Sequence, residues 1–409
     1  MTALYKPIRI ANLNRHFSRK AGGAESYAVS LVEGLADRRL ANGTPEFDVH
    51  VWSQTLAHHY PNVTYHKVPG PLTHPRWINQ LLFATYTWWK TRKPSTDGGF
   101  DVIHSHENTW HGHVQTVQVR PIRFHLLDGR TGWRLALRWL KIATSPRLAF
   151  YVWLESARMK ALPHRVVVAG SQLLKNQMLA AYPHLDANTP IILPGVGAPN
   201  MALNRSVALT QLGLSQGVHA QTSFILFVGN DYARKGLPSL LAALALVQAK
   251  QDVASRAHLL IVGNAAQIPK FQLMAAEHGV AERVHFVGPQ SDMSLVYRAA
   301  SLMVHPTLED GFAMVVLEGM SYGLPVVVSS AKYCGISEFL KHQVDALVLD
   351  DPLDSKSMAV AIDRLLDATQ GLTLRQALSD NGLRFAAQYS WDVVVDAYAQ
   401  IYRKVLGHV

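Results

Sequence analysis

Along the chain, short runs rich in β-branched and aromatic residues alternate with longer stretches whose apolar positions recur every three or four residues. The first pattern is that of buried strands and the second that of amphipathic helices. In the first half, strands are expected at 8–14, 47–54, 63–68, 101–107, 113–119 and 165–171. In the second half they are expected at 223–230, 258–264, 283–289, 302–306, 325–330 and 346–351, with helical segments such as 237–250 and 312–322 between them. Strand-helix alternation of this kind predicts an α/β protein with parallel sheets covered on both faces, once per half. Proline and glycine cluster in "ILPGVGAPN" (192–200), which marks a break. The expected domains are 1–195 and 196–390, each doubly wound, with ligand held at the carboxyl ends of the strands.

Composition adds limits. A chain of 409 residues that is 48% hydrophobic can bury more than one core. The single cysteine, Cys334, excludes an intrachain disulfide and a thiolate metal cluster. No apolar run is long enough to span a bilayer, and no secretory signal is evident, so a cytoplasmic location is expected. The formal net charge of +10 calls for an acidic partner.

Chemistry concentrates at the expected strand ends. In "FVGNDYARKG" a strand ends at Gly229 and Asn230, and Arg234 and Lys235 precede a helix, an arrangement able to neutralise a diphosphate. In "LEDGFAMVVLEGM", Glu309, Asp310 and Glu318 interrupt an apolar stretch. The helix is expected to start at Phe312, which would aim the amides of Gly311, Phe312 and Ala313 at a ligand. Glu318, inside that helix, needs hydrogen-bond donors, and a ribose diol supplies two hydroxyls at a spacing that suits a carboxylate. A structural bond to a nearby amide is the alternative. Near the start, Gly22 and Gly23 permit close approach of backbone to a ligand. Neither a dinucleotide-binding glycine pattern nor a Walker lysine is present. His104, His106, His111 and His113 lack zinc-site spacing and read better as polar residues facing a substrate. No Asp-x-Asp stands at a strand end to hold a magnesium diphosphate, so no metal and no cofactor are expected.

Taken in order, "GGAE" (22–25), "FDVIHSH" (100–106), "PGVG" (194–197), "FVGNDYARKG" (227–236), "RVHFVGP" (283–289), "LEDGFAMVVLEGMSYGLPVV" and "CGISE" (334–338) resemble the retaining glycosyltransferases of family 4. The resemblance covers nearly the whole chain. It implies the GT-B architecture of two facing Rossmann-like domains, with the last helix (within 391–409) packing back on the first. It makes Arg234 and Lys235 the diphosphate clamp, assisted by Gly229 and Asn230, and sets the base against Phe286, Val287 and Gly288. Glu318 would bind the ribose, and Asp310 with the amides of Gly311 to Ala313 the transferred sugar, next to the Gly22-Gly23 loop. Two positions depart from the family pattern. Asp310 stands where glutamate is usual, which brings in Glu309 as its substitute, and Gln118 stands where histidine is usual near the anomeric carbon. A neutral amide hydrogen-bonds a hydroxyl but carries no charge into a transition state.

The resulting expectation is a retaining, metal-independent transfer of a hexose or N-acetylhexosamine from a nucleotide sugar, UDP-linked by preference. The acceptor would be a glycan or lipid-linked molecule of the bacterial envelope, of the lipopolysaccharide-core type. Clustered cations from Arg120 to Arg165, and the Trp/Arg-rich segments 76–93 and 133–142, fit a peripheral enzyme on an anionic inner membrane face. Packing of those tryptophans on the domain core is the ordinary alternative. No nucleic-acid-binding signature is present. A nucleotide-sugar-binding protein with weak or lost transfer, and a sugar-nucleotide epimerase, remain as alternatives.

Overall fold

The computed structural model describes residues 6–19, 22–70, 75–185, 189–200, 202–214, 222–248, 257–367 and 370–407. Positions 249–250 of the expected helix 237–250, and 408–409 of the last segment, lie outside the described residues. The chain forms two compact units, Met1–Gly195 with Trp391–Val409, and Val196–Ser390.

The first unit holds β1 (Ile8–Leu13), β2 (His16–Phe17), β3 (Phe47–Ser53), β4 (Thr55–Leu56), β5 (Val63–Lys67), β6 (Val102–Ser105), β7 (Val114–Val117) and β8 (Val166–Ala169). Its helices are α1 (Gly23–Asp37), α2 (Arg76–Thr91), α3 (Ile122–Leu127), α4 (Gly132–Thr144), α5 (Pro146–Arg158) and α6 (Gln172–Ala181). A 6-stranded sheet runs in the order β5-β3-β1-β6-β7-β8, with every pairing parallel. The winding direction changes between β1 and β6, the switch point beside which open α/β sheets bind their ligands. β7 stops at Val117, short of the expected end at 119, so Gln118 is the first residue beyond the strand.

The second unit repeats the plan with β9 (Phe224–Gly229), β10 (His258–Gly263), β11 (Val284–Gly288), β12 (Leu302–His305), β13 (Val326–Ser329) and β14 (Leu347–Leu349). Around them lie α7 (Arg205–Gln211), α8 (Leu237–Gln248), α9 (Ile268–Glu277), α10 (Met293–Ala299), α11 (Met314–Ser321), α12 (Ser355–Leu366) and α13 (Gln370–Ala386). The sheet order is β11-β10-β9-β12-β13-β14, again parallel throughout. Consecutive residues Phe224 to Phe227 are each 0% exposed, which requires cover on both faces of the central strand.

The final helix, α14 (Trp391–Val405), belongs to the first unit. Its buried Tyr398 and Tyr402 enter a closed polar network. The His104 ring nitrogens lie 2.7 Å from the Tyr402 hydroxyl and 2.7 Å from Thr116 Oγ1. Thr116 Oγ1 is 2.8 Å from the Tyr398 hydroxyl, which also accepts from the Tyr27 hydroxyl at 3.0 Å. With both nitrogens occupied inside the core, His104 does not face a substrate, contrary to the reading of the histidine cluster. The sequence shows a polar side chain, and only the packing shows that its partners are protein.

Candidate functional site

At the carboxyl ends of the second sheet, two loops are stitched together. The loop after β9 brings Lys235 back across the strand end. Gly229 has no Cβ because one there would lie 2.8 Å from Lys235 Cγ. Gly236 follows with φ +82°, and a Cβ on it would lie 1.9 Å from the Pro306 carbonyl oxygen. The Leu308 amide donates to the Arg234 carbonyl at 2.9 Å, and Lys235 Nζ donates to the Glu309 carbonyl at 3.3 Å.

Asp310 is the centre of this arrangement. Its Oδ2 forms an ion pair with Lys235 Nζ and lies 3.2 Å from His305 Nε2. Its Oδ1 accepts from the amides of Phe312 at 3.3 Å and Ala313 at 2.9 Å. The neighbouring His305 and Lys235 overcome burial and hold the Asp310 carboxyl well below the usual carboxylate range. Burial pushes the His305 imidazole down despite the carboxylate beside it. The Cys334 thiol is fully buried near Asp310 and is pushed up out of the reactive range.

This geometry corrects two expectations. The helix α11 begins at Met314 rather than Phe312, with Ala313 in a left-handed conformation at φ 69°. The amides of Phe312 and Ala313 therefore close on the Asp310 side chain and are not aimed outward. Asp310 is committed on both oxygens, so its observed role is to hold Lys235 and cap the loop. The shorter side chain of aspartate favours this local closure, because its oxygens reach amides two and three residues on.

Arg234 diverges from Lys235. Its side chain is 54% exposed and lies 3.6 Å from Asp231. Asn230 accepts on its carbonyl from Gln267 Nε2 at 2.7 Å. At the edge of the sheet, Ile261 pairs with Phe286 and Val262 with Gly288, so Val287 bulges out of register. Gly288, at φ 67°, turns the chain away. The Phe286 ring packs against the core rather than outward. Glu318 Oε2 receives a hydrogen bond from the Tyr297 hydroxyl. Gly311 lies between Asp310 and the cap, with its carbonyl close against Gly335.

Gln118, Gly22 and Gly23 lie in the first unit, not among these residues. Gly22 is the N-terminal cap of α1, and Gly23 is the first residue of that helix. Gln118 Nε2 is buried with no hydrogen-bond partner among the described residues. The same holds for Asn12 Oδ1, Asn14 Nδ2 and His106 Nδ1, which belong to the carboxyl ends of β1 and β6 where the winding reverses. Buried polar atoms without partners are uncommon in folded proteins, and each calls for an explanation. The asparagines were not singled out from the sequence; their alternation along an otherwise apolar β1 was the available signal. Behind them, Arg158 is 3% exposed and donates to Asn108 Oδ1 at 2.8 Å and Gln115 Oε1 at 3.2 Å. Burial pulls its guanidinium down to about 10. Among the described residues, no group of three or more His, Cys, Asp or Glu side chains is placed to hold a metal ion.

The basic, tryptophan-rich region has an open surface. On α4, Trp133 is 69% exposed, Leu137 54% and Leu140 60%, while Ile142 alone is buried in that helix. Trp88 and Trp89 on α2 and Trp153 on α5 are exposed as well. Trp77 is half-buried against Phe150, while Trp88, Trp89, Trp133, Trp139 and Trp153 face outward, against the ordinary alternative of packing on the core. No helix among the described residues is long and apolar enough to cross a membrane.

Comparison with known proteins agrees with this architecture. Residues 222–368 match the family model for glycosyl transferases group 1. Over 446 residues the chain is 26% identical to a D-inositol 3-phosphate glycosyltransferase of Thermobispora bispora, covering 98% of this chain and 96% of the relative. Among solved structures, it resembles WaaG, a glycosyltransferase involved in lipopolysaccharide biosynthesis, with a TM-score of 0.76, 19% identity, and coverage of 97% of this chain and 99% of that one. It also resembles Anabaena Alr3699/HepE in complex with UDP-glucose, with a TM-score of 0.67, 18% identity, and coverage of 96% and 98%. The strand order, the position of the loops and these similarities converge on the GT-B fold, with residues 222–368 matching the group 1 glycosyl transferase model.

Proposed function

We propose that the protein transfers a hexose or N-acetylhexosamine from a UDP-sugar to a glycan or lipid-linked acceptor of the bacterial envelope, with retention at the anomeric carbon. The observation that carries this reading is the cluster at the carboxyl ends of β9 and β12, where Asp310, itself bonded to His305, holds Lys235 beside exposed Arg234. A diphosphate is the ligand whose charge such cations complement, and the similar Anabaena chain was solved with UDP-glucose. We assign Glu318 to the ribose, the bulge at Val287 and Gly288 to the base, and Glu309 with Gly311 to the sugar side. Gln118, Gly22 and Gly23 of the first unit are assigned to the acceptor side.

In the step we propose, the bond from the anomeric carbon to the diphosphate oxygen breaks and a bond to the acceptor oxygen forms on the same face. The acceptor's proton passes to the departing phosphate oxygen, so no protein base is needed. Lys235 and Arg234 take the place of a metal ion in neutralising the leaving group. The neutral Gln118 favours a second reading, a nucleotide-sugar-binding protein with weak or lost transfer.

A thermal-shift screen of UDP- and GDP-sugars tests the donor assignment. A UDP-sugar at 100 times its dissociation constant is expected to stabilise the protein by about 2.7 kcal/mol. Stabilisation by GDP-sugars alone would replace the uridine assignment, and binding without transfer to any acceptor would favour the second reading.

Membrane association is part of the proposal. The exposed Trp133, Leu137 and Leu140 share α4 with Arg134, Arg138 and Lys141, which suits an anionic bilayer surface on the cytoplasmic side. Flotation with phosphatidylglycerol-containing vesicles at low salt should carry the protein upward, and Leu137→Glu with Leu140→Glu should abolish this. A protein that stays with the soluble fraction would remove the membrane from the proposal.

A further inference from the structure

We propose that Tyr297 is a positioning residue for nucleotide recognition, orienting the Glu318 carboxylate toward a ribose hydroxyl. The inference rests on the reading of Glu318 as the ribose-binding group and deepens it.

The geometry is specific. Tyr297 lies on α10 and is 2% exposed, with its hydroxyl directed at Glu318 Oε2 on α11. Its ring stacks on Tyr322, with centroids 5.2 Å apart and planes 26° from parallel. The Tyr322 hydroxyl in turn accepts the Asn200 amide at 3.1 Å, which holds the outer ring in place. Tyr297 thus has a locked ring and a hydroxyl whose identified acceptor is a carboxylate. Burial, reinforced by the Glu318 charge, pushes the phenol well above its ordinary value, so it remains a proton donor at every physiological pH.

A glutamate on a helix has several rotamers available, and each would offer a ligand a different oxygen in a different direction. A donor hydrogen bond to one oxygen selects among them before the ligand arrives. Pre-organisation of this kind lowers the ordering cost of binding rather than adding a ligand contact. It also sharpens selection, since a nucleotide that lacks the ribose hydroxyl gains nothing from the pre-set carboxylate. This amends the expectation that both carboxylate oxygens meet the ribose diol: Oε2 already has a donor from the protein.

The test compares binding of UDP and 2′-deoxy- and 3′-deoxy-UDP by calorimetry. Tyr297→Phe keeps the ring and its stack and removes only the hydroxyl. It is expected to weaken UDP binding, and raise the donor KM, about tenfold, with kcat changed less than about twofold, as a loss of uniform binding requires. The ratio of UDP to deoxy-UDP affinity should shrink by a similar factor. In a Glu318→Ala background, Tyr297→Phe should have no further effect on binding.

The two readings fail separately. If Glu318→Ala binds UDP like the wild type, Glu318 is not the ribose group. If Glu318→Ala loses affinity and discrimination while Tyr297→Phe keeps both, Tyr297 is not a positioning residue. A Tyr297→Phe protein with a lowered melting temperature but unchanged UDP to deoxy-UDP ratio shows a structural role alone and also overturns the inference.

Discussion

Lys235→Ala is expected to reduce sugar transfer by about 30- to 1,000-fold, the consequence of losing ~2–4 kcal/mol of charge stabilisation on a departing diphosphate. The ammonium is suited to that role because the surrounding chain fixes it. Gly229 lets its stem cross the end of β9, the Glu309 carbonyl takes one N–H, and Asp310 takes another. Lys235→Arg is not expected to restore activity, since a longer planar group does not fit above Gly229 with the same directions.

The partner residue separates the causes. Asp310→Asn keeps the lysine charge and both amide caps within reach of a carbonyl oxygen, and removes only the countercharge. If Asp310 serves to hold Lys235, this variant should lose less transfer than Lys235→Ala. Steady-state turnover with saturating donor, checked against circular dichroism for intact fold, decides between them. Unchanged turnover in Lys235→Ala would end the diphosphate assignment.

The second large effect is on stability. Mild acid is expected to destabilise the first unit, which holds four histidines that burial keeps neutral, more than the second, which holds His305 and His285. Burial, aided by the nearby Arg158 charge, depresses His106 to about 3, and burial with the Arg165 charge does the same for His111. His104 is lowered by burial, by His106 and by Arg158, and His113 by burial, His164 and Arg165. These groups stay neutral when folded and take up protons when unfolded. Their contribution is fully present above the unfolded value near 6.5 and is lost as pH falls from there toward 3 for His106 and His111. Between pH 7 and 5 His106 and His111 should each cost about 2 kcal/mol, a large share of the ~5–15 kcal/mol typical of a domain.

The measurement is direct because all 9 tryptophans belong to the first unit, so their fluorescence reports its unfolding alone. The urea midpoint followed by tryptophan emission should fall steeply between pH 7 and 5. Circular dichroism should retain a second, less pH-dependent transition. A tryptophan midpoint that is flat across this range would show that the buried histidines are not neutral by constraint.

How far the chain could be read in advance depended on whether the relevant interaction was local. The strand runs were legible because burial on both faces of a parallel sheet demands unbroken apolar segments, as at Phe224 to Phe227. Every expected main strand has a counterpart, with ends displaced by a few residues, as at β7, where capping and loop geometry set the boundary. The start of α11 was misjudged because the apolar run from Phe312 does not reveal that the Asp310 side chain takes the amides of Phe312 and Ala313. The partners of His104, Thr116 on the neighbouring strand and Tyr402 on the last helix, meet it only once the sheet and α14 have assembled. Tyr297 went unremarked because an isolated tyrosine in a short helix gives no pattern until Glu318 is brought against it.

By itself, then, the order of residues determined the repeated α/β plan and which strand ends carry charge, because periodicity and motif spacing are properties of neighbouring positions. Tertiary structure alone decided which polar side chains are already spoken for: Lys235 by Asp310, Glu318 Oε2 by Tyr297, His104 by a tyrosine of the last helix. The physical reason is that a buried polar group takes whichever partner packing supplies, and that partner lies far away in the chain as readily as beside it.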